Sequence, residues 1–107
     1  MFTVDLFSTL DGSVPVTEWL DGLGNDKTRY RIVTRLNRIV SGNFGDTRSV
    51  GDGVWELRLH FGSGYRVYYS RVGDDVVLLL CGGDKSAQKR DIKTAKRYLT
   101  EFKLRTE

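Results

Sequence analysis

At 107 residues and a formal net charge of +3, the chain is long enough for one domain (1–107) with a real core and little more. Its hydrophobic content of 39% and charged content of 29% are ordinary for a soluble globular protein. A single cysteine excludes an internal disulfide and, with a single histidine, argues against a structural zinc site.

The longest apolar run, Val76 to Cys81, is far too short to cross a bilayer, so no membrane partner is expected. The opening residues MFTVDLF show neither a basic start nor a cleavable apolar segment, and a cytoplasmic protein is the expectation. Mild basicity alone says little about an anionic partner. Its distribution says more. Lys85, Lys89, Arg90, Lys93, Lys96, Arg97, Lys103 and Arg105 crowd the last quarter of the chain against Asp91 and Glu101. A second basic group, Lys27, Arg29, Arg31, Arg35 and Arg38, falls on a predicted helix.

In chain order, Phe2 to Phe7 alternates as a strand, with Phe2, Val4 and Leu6 on one side. Asp11-Gly12 makes a turn, and Pro15 suits the first turn of a helix carrying Val16, Trp19, Leu20 and Leu23. Gly22 and Gly24 end it. Asn25 or Asp26 caps a second helix whose Tyr30, Ile32, Val33, Leu36, Ile39 and Val40 recur at helical spacing until Gly42. So short a link predicts an antiparallel helical hairpin covering a sheet face. Asn43 to Asp52 reads as a polar loop.

Gly53 to Ser70, GVWELRLHFGSGYRVYYS, reads as a β-hairpin. Trp55, Leu57, Leu59 and Phe61 alternate with Glu56, Arg58 and His60, and Tyr65, Val67 and Tyr69 with Arg66, Tyr68 and Ser70. A three-residue loop, Gly62-Ser63-Gly64, pairs Phe61 with Tyr65 and Leu59 with Val67. It sets His60 beside Arg66 and Arg58 beside Tyr68 on an open face. After Gly73-Asp74, the run DVVLLLC (75–81) is apolar on both faces, as expected of an interior strand. Gly82-Gly83-Asp84 breaks it. A last helix from Ser86 to about Lys103 follows, with Ile92, Ala95, Leu99 and Phe102 on one stripe. The expected order is β-α-α-β-β-β-α, an α+β domain with an antiparallel sheet.

Three features could carry chemistry, each beside a plainer reading. On the hairpin's charged face, Arg58 and Arg66 could hold a phosphodiester, His60 could move a proton, and Tyr68 could stack on a base. The same residues also suit a solvated sheet face. In CGGDKSAQKRD (81–91), paired glycines and Lys85 could approach a phosphate, although the spacing is not that of a Walker loop. Alternatively, this is a strand-to-helix connection capped by Ser86. The basic last helix could face RNA through Lys89, Arg90 and Lys93, or simply face solvent. Trp19, Trp55, Tyr30 and Tyr65 fall on core-facing rows. No metal-ligand cluster or dinucleotide fingerprint is present, and no cofactor is expected.

At GNFGD (42–46), GVWELRLHFGSGYRVYY (53–69) and LLLCGGDKSAQKRDI (78–92), the chain resembles RelE/ParE-superfamily toxins. The branch it is most similar to is the phage-derived Gp49-like, HigB-type addiction module killer group. The resemblance implies a RelE-like fold and the toxin of a type II toxin–antitoxin system. It implies a metal-independent mRNA endoribonuclease, acting in RelE-like members on the translating ribosome. The implied partner is a HigA-type helix-turn-helix antitoxin, through which alone the toxin would meet operator DNA. Carried onto this sequence, Arg58, Arg66 and Lys85 would serve the scissile phosphate, His60 would be an acid or base, and Tyr68 would orient a nucleotide. A ParE-like gyrase inhibitor and a non-enzymatic antitoxin-binding subunit are the competing expectations, since fold does not fix function.

Overall fold

The computed structural model describes residues 1–106. Within them the chain is α+β, a mixed five-stranded sheet with three α-helices. The strands are β1 (Thr3–Leu6), β2 (Thr47–Gly51), β3 (Val54–Leu59), β4 (Tyr65–Arg71) and β5 (Val76–Gly83). The helices are α1 (Pro15–Asp21), α2 (Asp26–Asn37), continued by a 3₁₀ turn at Arg38–Ser41, and α3 (Gln88–Thr106). Spatial order across the sheet is β1-β5-β4-β3-β2.

Local chemistry accounts for most boundaries. Pro15 opens α1, where a missing amide donor costs nothing. Asn25 caps α2, its side chain accepting from the Thr28 amide at 3.0 Å. Gly42 ends the 3₁₀ turn at φ 86°, a left-handed position that glycine fills without strain. The apolar run of β5 is buried on both sides because β5 lies between β1 and β4 with a helical layer on each face.

Those two layers define two cores. On one face Val16 of α1 and Ile32 and Leu36 of α2 pack on Leu57, Leu59, Val67, Tyr69, Val77 and Leu79. On the other, Ala95 and Leu99 of α3 pack on Val54, Tyr68, Leu78 and Leu80. Burying a side chain of this size contributes about 1.5–3 kcal/mol, so both layers are needed to hold so small a sheet.

The structure corrects the expected fold in several places. The sheet is mixed, since β1 runs parallel to β5. The supposed polar loop contains β2, a short exposed edge strand set opposite β3 by Arg48↔Glu56 and Ser49↔Trp55. It escapes the alternation rule because Val50, packed against the core on the α3 side, is its one apolar residue, and an edge strand this short needs no apolar row. The β3–β4 register is Arg58↔Arg66, Leu57↔Val67 and Leu59↔Tyr65, shifted by two residues from the expected pairing. The hairpin loop therefore spans His60 to Gly64 and closes its own turn, Gly64 N–H donating to Phe61 C=O at 3.0 Å. A two-residue shift keeps every side chain on its face but takes His60 out of the strand. Trp55 is 37% exposed and Tyr30 73% exposed, so neither serves the core. The Ser86 cap is replaced by Asp84, whose carboxylate accepts from the Ser86 amide at 3.0 Å.

A basic cleft at the open end of the sheet

The hairpin's charged face is not open along its length, because α3 roofs most of it. Glu56 and Tyr68 lie beneath that roof with no measurable exposure. Arg58 and Arg66, one step nearer the hairpin tip, emerge beyond the first turn of α3. Their side chains remain 32% and 11% exposed respectively. Lys85 joins them from the β5–α3 connection. Its amide donates to Ser63 C=O at 3.4 Å, tying that connection to the hairpin loop. Arg58, His60, Arg66 and Lys85 together line a cleft of about 460 Å³.

Gly64 is the hinge of this arrangement. It sits at φ 75°, and a Cβ there would lie 3.4 Å from both Arg66 Nη1 and Lys85 Cβ. Its carbonyl accepts from Arg66 Nη1 at 2.9 Å, which aims the guanidinium along the cleft wall. Arg66 Nε lies 3.5 Å from Glu56 Oε2 on its buried side.

Glu56 is a buried carboxylate with a full set of donors. Its Oε1 accepts from Arg48 Nε at 3.0 Å. Its Oε2 accepts from Gln88 Nε2 at 2.9 Å and Tyr68 Oη at 3.1 Å. Burial pushes its pKa up, but donation from Gln88, Arg48 and Tyr68 outweighs that and holds it below the usual glutamate value. Glu56 stays ionised and provides the countercharge that fixes Arg66.

Asp46 plays the corresponding role at the rim. One oxygen pairs with Arg58 Nη2 at 3.1 Å and the other with His60 Nε2. The His60 hydrogen bond, then that of Arg58, hold the Asp46 carboxyl below its ordinary range. His60 thus has an orienting carboxylate, the arrangement that makes an imidazole useful in proton transfer. Arg35 of α2 braces the same corner, donating to the carbonyls of Arg58 at 2.9 Å, Phe44 at 3.1 Å and Asp46 at 3.2 Å.

Of the residues expected at a site, Arg58, His60, Arg66 and Lys85 come together and Tyr68 does not. Its hydroxyl is committed to Glu56, and burial together with that neighbouring charge pushes its pKa far up. No base can stack on it. Lys89, Arg90 and Lys93 are exposed on α3 and do not line the cleft. Asp46, Glu56 and Gln88 were not anticipated, although each lies inside a quoted motif: GNFGD, WELR and GGDKSAQ. The Cys81 thiol is buried, and burial, then the charge of Asp91, raise its pKa to about 12, leaving it inert. Among the described residues no group of three or more His, Cys, Asp and Glu side chains gathers as metal ligands would. Nor is any helix there long and apolar enough to cross a membrane.

Fold and site define an α+β protein with a cationic cleft at the uncovered end of a mixed sheet. Residues 18–103 match the phage-derived Gp49-like family (DUF891), and the chain belongs to that family. An uncharacterized protein of Haemophilus influenzae (strain ATCC 51907 / DSM 11121 / KW20 / Rd) is 49% identical over 86 residues. The match covers 80% of this chain and 87% of that relative.

Proposed function

We propose that the chain is the toxin of a type II toxin–antitoxin pair, a RelE-like endoribonuclease that cuts mRNA and so inhibits translation. The observation that carries this reading is the convergence of Arg58, Arg66, Lys85 and His60 on one cleft, with Asp46 against His60. Three cations around one void, Arg58 paired with Asp46 and Arg66 with Glu56, suit a phosphodiester, whose charge rises as a fifth oxygen adds to phosphorus.

In this mechanism the RNA 2′-oxygen bonds to the adjacent phosphorus and the bond from phosphorus to the 5′-oxygen breaks. The products are a 2′,3′-cyclic phosphate and a 5′-hydroxyl. Arg66 and Arg58 hold the non-bridging oxygens, and Lys85 stabilises the phosphate or the departing oxygen. The proton lost by the 2′-hydroxyl is balanced by the one gained by the departing 5′-oxygen. His60, oriented by Asp46, takes up the first or delivers the second, and solvent serves the other end. An arriving phosphate would compete with Asp46 for Arg58, so substrate entry would loosen that pair. Its partners would be mRNA, the translating ribosome and a helix-turn-helix antitoxin that alone contacts operator DNA.

Primer extension on cellular mRNA after induction of wild type and Arg66→Ala tests this. The reading requires new 5′ ends within translated codons that vanish in the variant. Growth arrest with intact mRNA and stalled gyrase would replace it with a gyrase poison. No arrest at all would leave an antitoxin-binding subunit.

A further inference from the structure

A second cavity, of about 290 Å³, adjoins the basic cleft, and Leu59 and His60 form the wall between them. Its far side is the face of α2 and its 3₁₀ continuation that carries Tyr30, Arg31 and Arg38. Arg35 ties that helix to the backbone of Arg58, so the two cavities belong to one rigid frame.

The side chains here are arranged for a ligand rather than for the core. Tyr30 presents its ring to solvent, 73% exposed, with no hydrogen bond among the described residues. The Arg31 guanidinium lies over the Phe61 ring, 3.8 Å from its centroid, and the residue is exposed. Arg38 is exposed and makes no ion pair among the described residues. No acidic side chain lines the cavity. A void of this size is at the small end of ligand sites, about 300 Å³, which suits one nucleobase better than a folded partner.

We propose that this cavity is a nucleotide subsite, taking one base and its phosphate from single-stranded RNA next to the bond engaged by the Arg58–Arg66–Lys85 cleft. Tyr30 and the Arg31 guanidinium stack on the base, and Arg38 meets the phosphate. The identity of the neighbouring site rests on the nuclease reading, whereas the stacking chemistry rests on this cavity alone. An exposed aromatic interleaved with arginines fits unpaired RNA and has no use for an acidic protein segment, which would need the charges but not the ring.

The test is fluorescence anisotropy with a short labelled single-stranded RNA, 2′-O-methylated to block cleavage, and the full chain. Tyr30→Ala and Arg38→Ala should each weaken binding about five- to tenfold, the scale of losing one base stack or one phosphate contact. Tyr30→Phe should retain most of the affinity, because stacking needs the ring and not the hydroxyl. Lys27→Ala, which removes an exposed charge from α2 outside the cavity, should change binding less than twofold, about the scatter of such measurements. All four variants should melt with wild type, since none of these side chains is buried. If Arg66→Ala weakens binding while Tyr30→Ala and Arg38→Ala do not, the subsite is wrong and the nuclease reading survives. If Tyr30→Ala and Arg38→Ala weaken RNA binding but wild type cuts no mRNA, the subsite stands without the nuclease. Unchanged RNA binding with weakened antitoxin association would make this a protein-docking surface and overturn the proposal. So would a wild-type chain that binds no RNA.

Discussion

Glu56 and Arg66 stand at opposite ends of one buried interaction: Glu56 Oε2 lies 3.5 Å from Arg66 Nε. The carboxylate is wholly buried while the guanidinium reaches the cleft. Gln88 and Tyr68 converge on the same oxygen, so the first residue of α3 and the floor of the sheet set the position of a cleft cation. Removing one member of a buried pair leaves its partners uncompensated, and Glu56→Ala should cost on the order of 3 kcal/mol. Glu56→Gln, which keeps the shape, should cost less but still free Arg66. Urea unfolding of both variants checks this, and losses under about 1 kcal/mol would mean that water substitutes for the carboxylate.

The two buried carboxylates on the α3 side shift in opposite directions. Glu56 lies below its ordinary value because donors outweigh burial. Asp91 lies above its own because burial dominates and its Oδ2 has no hydrogen-bond partner among the described residues. For Glu56 the unfolded chain binds the proton more tightly. Its contribution is therefore present above the unfolded value of about 4.3 and lost as pH falls through the lower folded value. For Asp91 the folded chain binds the proton more tightly. Stability falls as pH rises from about 3.9 to the raised folded value, then levels off. Glu56→Gln should flatten the acid limb of the stability profile. Asp91→Asn should raise the urea midpoint at neutral pH, with the gain shrinking below the usual aspartate range. A neutral-pH loss in Asp91→Asn would show that its ion pair with Arg90, at 3.6 Å, outweighs the burial cost.

Tyr68 shows where the sequence could be read and where it could not. Period-two alternation correctly puts Tyr68 on the face of Arg58 and Arg66, and caps and glycines place α1 and α2. Alternation cannot say what covers a face. The missing fact was in β5, whose apolar residues on both sides require two helical layers, so the stripe of Ile92, Ala95 and Leu99 had to roof the hairpin. The cleft lies where that roof ends, a boundary set by the position of Gln88. Loop register was less legible, because a glycine-rich turn permits three or five residues and a shift of two keeps all faces. The edge strand β2, with Val50 its single apolar residue, left no alternating apolar row. Tyr68→Phe therefore becomes a stability variant. Losing the hydroxyl's bond to Glu56 should cost about 1 kcal/mol in unfolding experiments, with any loss of RNA affinity well below that of Arg66→Ala, since Gln88 and Arg48 still hold Glu56. A loss of affinity without one of stability would return Tyr68 to the substrate.

The paired glycines of β5 are explained by neighbours on opposite faces. A Cβ on Gly82 would overlap the six-membered ring of Trp19, and one on Gly83 would overlap Asp91 Oδ2. Neither glycine has a positive φ, so both costs are steric. Gly82→Ala should displace Trp19, altering tryptophan fluorescence and costing about 1–3 kcal/mol, as overpacking does. Gly83→Ala pushes instead on the first turn of α3, where Asp91 C=O also accepts from Cys81 Sγ at 3.6 Å. Moving that turn would draw Gln88 away from Glu56 and loosen Arg66 as well. Because the obstacle is one side chain, Asp91→Ala should rescue much of the Gly83→Ala loss in a double-mutant cycle, with a coupling of about 1 kcal/mol or more. Strict additivity would mean that Gly83 is required by the backbone path of β5, and that the carboxylate merely occupies the space it leaves.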